Sequence, residues 1–164
     1  MNVRAGKTDS TEAARLISKH MWAQPSLFYM RSLNDMYERF VLWTWSGQQP
    51  AGINILRPGQ MRVYKNKAVG MIVDTTLPLG AVWLALGATD KGTVSLAQTR
   101  SDINMMLVLV YPVQGLLVRV VVPKHLSQAV LWTSVVEIES SNTESIAYFG
   151  RYHLPVLGQL QGIG

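Results

Sequence analysis

The sequence contains no cysteine, and that absence excludes a disulfide framework, a thiolate metal site and a cysteine nucleophile together. Charge is scarce as well: 15% of residues are charged while 48% are apolar, against about 25% charged in an ordinary soluble domain. So little charge on a small chain points to surface buried against partners. Long hydrophobic runs are missing too. The longest, INMMLVLVYPV from Ile103, is broken by Pro112 and falls short of the roughly 20 residues a spanning helix needs, so it reads as a buried strand and no membrane span is expected. No N-terminal segment has the charged, apolar, small-residue order of a secretory signal.

Catalytic signatures are equally absent. No HExxH, paired CxxC, Walker loop, GxGxxG or GxSxG occurs. The histidines His20, His125 and His153 are not at ligand spacing, so neither a metal nor a cofactor is expected. Asp74, Asp90 and Asp102 sit in or beside turn-forming stretches, where aspartate is first a turn former. A Ser-His-Asp group can still be assembled in space, because triads are defined by geometry and not by order. The expectation is a protein that is not an enzyme.

What is present reads as β-structure behind a helical start. At 164 residues the chain suits one domain with a genuine core. In TDSTEAARLISKHMW, Ala13, Leu16, Ile17 and Met21 fall at helical spacing after Asp9 and Glu12, which predicts a helix from about residue 10 to 22. A second short helix is predicted in SLNDMYERF, with Ser32 as cap, Asp35 in the first turn, and Leu33, Met36, Tyr37 and Phe40 as an apolar stripe.

From Phe40 onward, FVLWTW, GINIL, MRVYKNKAVGMIV, AVWLALGA, INMMLVLVY, LLVRVVV, AVLWTSVVEI and SIAYFGRYHL are rich in β-formers. Between them SGQQPAG, RPGQ, TLPLG, TDKG, PVQG, PKHLSQ and ESSNTE carry turn chemistry. Short strands without intervening helices predict an antiparallel sandwich or barrel. INMMLVLVY and LLVRVVV are apolar on both faces, so they are either covered twice within the chain or face another subunit.

The formal charge of +5 leans toward an anionic neighbour such as RNA. Most basic residues are scattered. They gather near the start, at Arg4, Lys7, Arg15 and Lys19, which are the candidates to face RNA. MRVYKNK interleaves Arg62, Tyr64, Lys65 and Lys67 as an aromatic RNA-binding surface would. Its plainer reading is an edge strand, with Met61 and Val63 on one face and lysines that discourage unwanted pairing.

The stretch LLVRVVVPKHLSQAVLWTS resembles the late part of a capsid protein of the picorna-like positive-strand RNA viruses, particularly the insect and related lineages. The matching positions are Val118, Val120, Val122, Pro123 and the link through Gln128. SLNDMYERFVLW is similar to a segment before an early strand of these capsids, matched at Ser32, Leu33 and Arg39. SIAYFGRYHLPVLGQLQGIG resembles their C-terminal end at Tyr148, Phe149, Gly150 and Gly158, with Arg151 and Tyr152 where an acidic pair often stands.

The resemblance implies an all-β, antiparallel jelly-roll β-sandwich over residues 31–164, preceded by an arm with a short helix over 1–30. It implies a capsid subunit that assembles with identical or related subunits into an icosahedral shell around viral genomic RNA, held non-specifically by charge. Assembly in the host cytoplasm, a place in the virion, a host receptor, and release from a polyprotein with Met1 and Gly164 as processed ends belong to the same implication. Pro123, His125, Tyr152 and His153 are the candidate subunit-interface residues. Two alternatives stand beside it. One is a β-sandwich glycan-binding module using aromatics such as Trp43, Trp45 and Trp83; the other is a projecting domain with a spatially assembled Ser-His-Asp hydrolase site.

Overall fold

The computed structural model describes residues 3–31, 36–89, 91–98, 103–123, 132–141, 143–149 and 151. Helix α1 spans Ser10–Ser18, followed by strands β1 (Ala23–Arg31), β2 (Glu38–Trp45), β3 (Gly59–Tyr64) and β4 (Lys67–Pro78). Helix α2 (Leu79–Leu86) precedes β5 (Gly92–Gln98), β6 (Ile103–Tyr111), β7 (Leu116–Pro123) and β8 (Val135–Ser141), and helix α3 covers Thr143–Phe149. The strands are hydrogen-bonded in the order β1-β2-β3-β4-β8-β7-β6-β5. The fold is all-β and antiparallel, as expected. Its order is that of two consecutive meanders, β1 to β4 and β5 to β8; the exchange of strands between two sheets that defines a jelly roll is not displayed in it.

The chain divides into two compact units, residues 1–74 with 139–142, and residues 75–138 with 143–164. In the first, the segment expected as an arm supplies α1 and β1. Asp9 caps α1 by accepting the Glu12 N–H at 2.9 Å, and Ala13, Ala14 and Ile17 form its buried face. That face joins Val41, Trp43, Trp45, Met61, Val63 and Ala68 in one core. The helix stops at Ser18, short of residue 22, and leaves Met21 exposed.

In the second unit, β6 and β7 are covered twice. Leu107, Leu109 and Tyr111 on β6, with Val118, Val120 and Val122 on β7, pack with Leu79 and Val82 of α2. On the opposite face Val108, Val110 and Leu117 pack with Ile146 of α3. The two-faced greasiness of INMMLVLVY is therefore met within the chain over this stretch.

Several local expectations are corrected. AVWLALGA is helical: Pro78 and Gly87 bracket α2, and its inward residues Leu79, Val82, Trp83 and Leu86 follow a helical period. SIAYF is helical within α3, where Glu144 occupies the first turn, favourable against the helix dipole. The helix expected over Ser32–Phe40 does not form at its described end. Met36 and Tyr37 lie in a turn, Glu38–Phe40 begin β2, and Ser32, Leu33 and Asp35 lie outside the described residues. The β-formers on both sides decide this at the described residues, pairing β1 with β2 up to Arg31 opposite Arg39. GINIL is a loop, because the Asn54 carboxamide accepts the Leu56 N–H at 3.1 Å and Gly52 is left-handed. β5 was not anticipated in GTVSLAQ.

Candidate nucleic-acid interface

The segment MRVYKNK is two strands and a turn. Tyr64 and Lys67 are the last paired residues of β3 and β4, leaving Lys65 and Asn66 as a two-residue loop. Their φ angles of 46° and 65° are both left-handed, as a type I′ hairpin requires. Asparagine adopts this conformation readily, whereas lysine does so at some cost. β3 lies between β2 and β4, so it is not the edge strand expected.

Neighbouring segments hold the tip in place. Asn66 Oδ1 accepts the Ser10 hydroxyl, its carbonyl accepts the Ser10 N–H at 3.0 Å, and the Lys65 N–H donates to the Tyr37 carbonyl at 3.2 Å. The Lys65 ammonium lies 5.8 Å from the centre of the Tyr37 ring and 5.4 Å from that of Tyr64, within cation–π range. Both rings reach solvent, Tyr37 at 54% and Tyr64 at 38% exposure. A groove of about 310 Å³ opens here, lined by Met36, Tyr37, Arg39, Val63, Lys65 and Asn66.

Residues 4–8 run beside the start of β4. The Gly6 N–H donates to the Ala68 carbonyl at 2.6 Å and the Ala68 N–H to the Thr8 carbonyl at 2.9 Å. Lys67 Nζ donates to the Lys7 carbonyl at 3.3 Å. Arg4 and Lys7 are exposed at this same end. Among the described residues none of Arg4, Lys7, Arg39, Lys65 and Lys67 forms an ion pair. Two described acids near this end are engaged elsewhere: Asp9 caps α1, and Glu38 lies 4.0 Å from Arg62.

The remaining RNA-facing candidates separate by their partners. Arg15 donates two hydrogen bonds of 2.6 Å to Glu12. These bonds hold the Glu12 carboxyl below its ordinary range and raise the guanidinium. Arg15 therefore offers little net charge to a phosphate. Lys19 is exposed just beyond α1 and does not line the groove. Arg62 is turned to Glu139 at 2.8 Å and is not part of the groove.

Of the interface candidates, Pro123 is exposed at the end of β7, opposite Asn104. Proline lacks the N–H that a longer ladder would need. His125, Tyr152 and His153 lie outside the described residues. His20 Nδ1 accepts the Trp22 N–H at 3.3 Å, and its ring meets the Trp22 ring edge-on. Trp43 and Trp45 are buried in the core, which leaves no indole platform for a sugar at those positions. A second cavity, of about 70 Å³, lies among Ile17, Trp22, Trp43, Trp45 and Met71; it is wholly apolar and too small for a nucleotide.

Sequence reading did not single out Tyr37 and Arg39 for the groove. The signal was available in KNK, whose asparagine between two alternating runs marks a hairpin turn. Among the described residues no group of three or more His, Asp or Glu is placed to hold a metal ion, and no helix is long and apolar enough to cross a membrane. Comparison with protein-family models, curated proteins and solved structures finds no match to this chain.

Proposed function

We propose that this chain is a structural subunit that associates with copies of itself or with related chains to form a shell around RNA, as in the capsids its sequence resembles. One observation carries the reading: the character of β1. Among the described strands β1 has one neighbour, β2, so no described strand pairs with the other row of its backbone N–H and C=O groups. Phe28, Tyr29 and Met30 on this edge are 58%, 69% and 50% exposed. Monomeric proteins guard such edges with charge. From Ala23 to Met30 there is no charged residue, and Pro25 is the single guard. An open apolar edge of this kind is a template for pairing with another chain. The cations of the β3–β4 end suit the RNA partner. In this reading Pro123, His125, Tyr152 and His153 serve subunit contacts, and the virion is the site of action.

The test is the size of the native assembly, by sedimentation and electron microscopy, with absorbance at 260 and 280 nm recorded across the fastest fraction. Closed shells containing RNA are expected. Phe28→Lys and Met30→Lys, which add charge to the exposed edge, should shift material to the smallest species. A wild-type chain that stays monomeric with and without sister chains would overturn the proposal.

A further inference from the structure

We infer that the groove at the β3–β4 tip is a binding site for single-stranded RNA, in which a base lies against Tyr37 and the adjoining phosphates meet Arg39, Lys65, Lys67 and Lys7. The inference rests on the proposed function in taking RNA as the physiological strand; the groove itself is independent of assembly.

Size comes first. About 310 Å³ is at the lower end of small-ligand sites and can accept a nucleotide, whereas the apolar cavity of the same unit cannot. Chemistry narrows the ligand further. Sequence-tolerant binding of single strands needs aromatic faces for the bases and cations tracking the backbone. Here two exposed tyrosines share the Lys65 ammonium; Tyr37, Lys65 and Arg39 line the groove, and Tyr64 and Lys67 flank the two-residue loop that carries Lys65. Among the described residues these cations form no ion pair, so no described carboxylate competes with phosphate for them. Asn66 has its Oδ1 engaged by Ser10, which leaves the amide N–H₂ to donate to a base carbonyl or phosphate. A duplex satisfies this site poorly, because its bases are already stacked and paired.

The site is also preorganised. The left-handed Lys65–Asn66 loop is tied to Ser10 on one side and to Tyr37 on the other, so little order remains to be imposed on binding.

The test titrates the full chain into a labelled oligouridylate of about a dozen nucleotides, a length within the range of known single-strand sites, and follows anisotropy at several salt concentrations. A duplex of equal length serves as competitor. Tyr37→Ala should weaken binding at least about fivefold, the effect of one lost stacking contact, and Tyr64→Ala, which removes only the second ring against the Lys65 ammonium, should weaken it less. Tyr37→Phe should stay near wild type, which separates stacking from misfolding. Lys65→Gln should reduce the steepness of the salt dependence by about 0.7 in log–log slope. Lys19→Gln, outside the groove, should change affinity little. Equal affinity for the duplex, or tyrosine variants that bind as well as wild type, would overturn the inference. Assembly size measured on the same samples keeps the two proposals apart. Shells whose RNA binding ignores the tyrosines refute the groove alone, and a monomer with tyrosine-dependent binding refutes the shell alone.

Discussion

Arg62 on β3 reaches across Gly70 on β4 to form a 2.8 Å ion pair with Glu139 on β8, whose side chain is completely buried. The backbones dictate the route. Arg62 and Gly70 are direct partners in the ladder, and a Cβ at position 70 would lie 2.7 Å from Glu139 Oε1 and 2.8 Å from the Ser140 carbonyl oxygen. Glycine at 70 is thus the space through which the pair is made.

Arg62→Ala is expected to destabilise the protein by about 3 kcal/mol, the lower part of the range for removing one partner of a buried pair, because Arg62 keeps some contact with water. Gly70→Ala should cost about 2 kcal/mol or more by forcing Glu139 and the β8 backbone aside. Urea unfolding measures both. Little change in the midpoint for Arg62→Ala would mean that the pair contributes nothing net.

Gly59 is the partner of Trp43 in the β2–β3 ladder, and the Trp43 ring lies directly on it. A Cβ there would sit 2.2 Å from the indole, which no small adjustment relieves. We expect Gly59→Ala to displace the Trp43 ring, alter its edge-on contact with Trp45 and cost about 2 kcal/mol or more. Near-ultraviolet circular dichroism should register the altered tryptophan environment, while the far-ultraviolet spectrum is retained at low temperature. An unchanged near-ultraviolet spectrum would contradict this packing.

Tyr111 is buried at the end of β6, and its hydroxyl has no hydrogen-bond partner among the described residues. Burial pushes its phenol up to about 12 from an ordinary value of 10.0. The neutral phenol is therefore favoured in the folded state. Its contribution to stability is complete below the unfolded value and is lost as pH rises from there through the folded one. Absorbance titration near 295 nm should show one late-ionising tyrosine that Tyr111→Phe removes. Because that substitution deletes a hydroxyl with no described partner, it should be neutral or stabilising by up to about 1 kcal/mol. A loss of about 2 kcal/mol would show that the hydroxyl is hydrogen-bonded.

Asp9→Ala should cost about 1 kcal/mol, since the Asp9 side chain satisfies the Glu12 N–H at the start of α1. Thermal unfolding monitored by circular dichroism measures it. Asp9→Ser, which retains a capping oxygen, should recover most of the loss.

The sequence alone determined the class of the fold, the start of α1 and the strands β2, β6 and β7. Each follows from a local signal. A capping aspartate and helical spacing mark α1, and runs of β-branched residues mark the strands. The same local reasoning failed at AVWLALGA and SIAYF, because a short apolar run of this length suits a buried helix as well as a strand. What decided between them was the sheet face awaiting cover: Leu107 and Leu109 on one side of β6 beneath α2, and Val108 and Val110 on the other beneath α3. The candidate groove was half legible. Lys65, Lys67 and Tyr64 stood out together in the chain, but Tyr37 and Arg39 reach them through strand pairing, which brings residues distant in sequence to one end of the sheet. Tertiary structure likewise sorted the cations: the i,i+3 pair of Arg15 with Glu12 follows from the helix itself, but the pairing of Arg62 with Glu139, and the absence of any such partner at Arg39 and Lys65 among the described residues, depend on which carboxylate lies within reach in space.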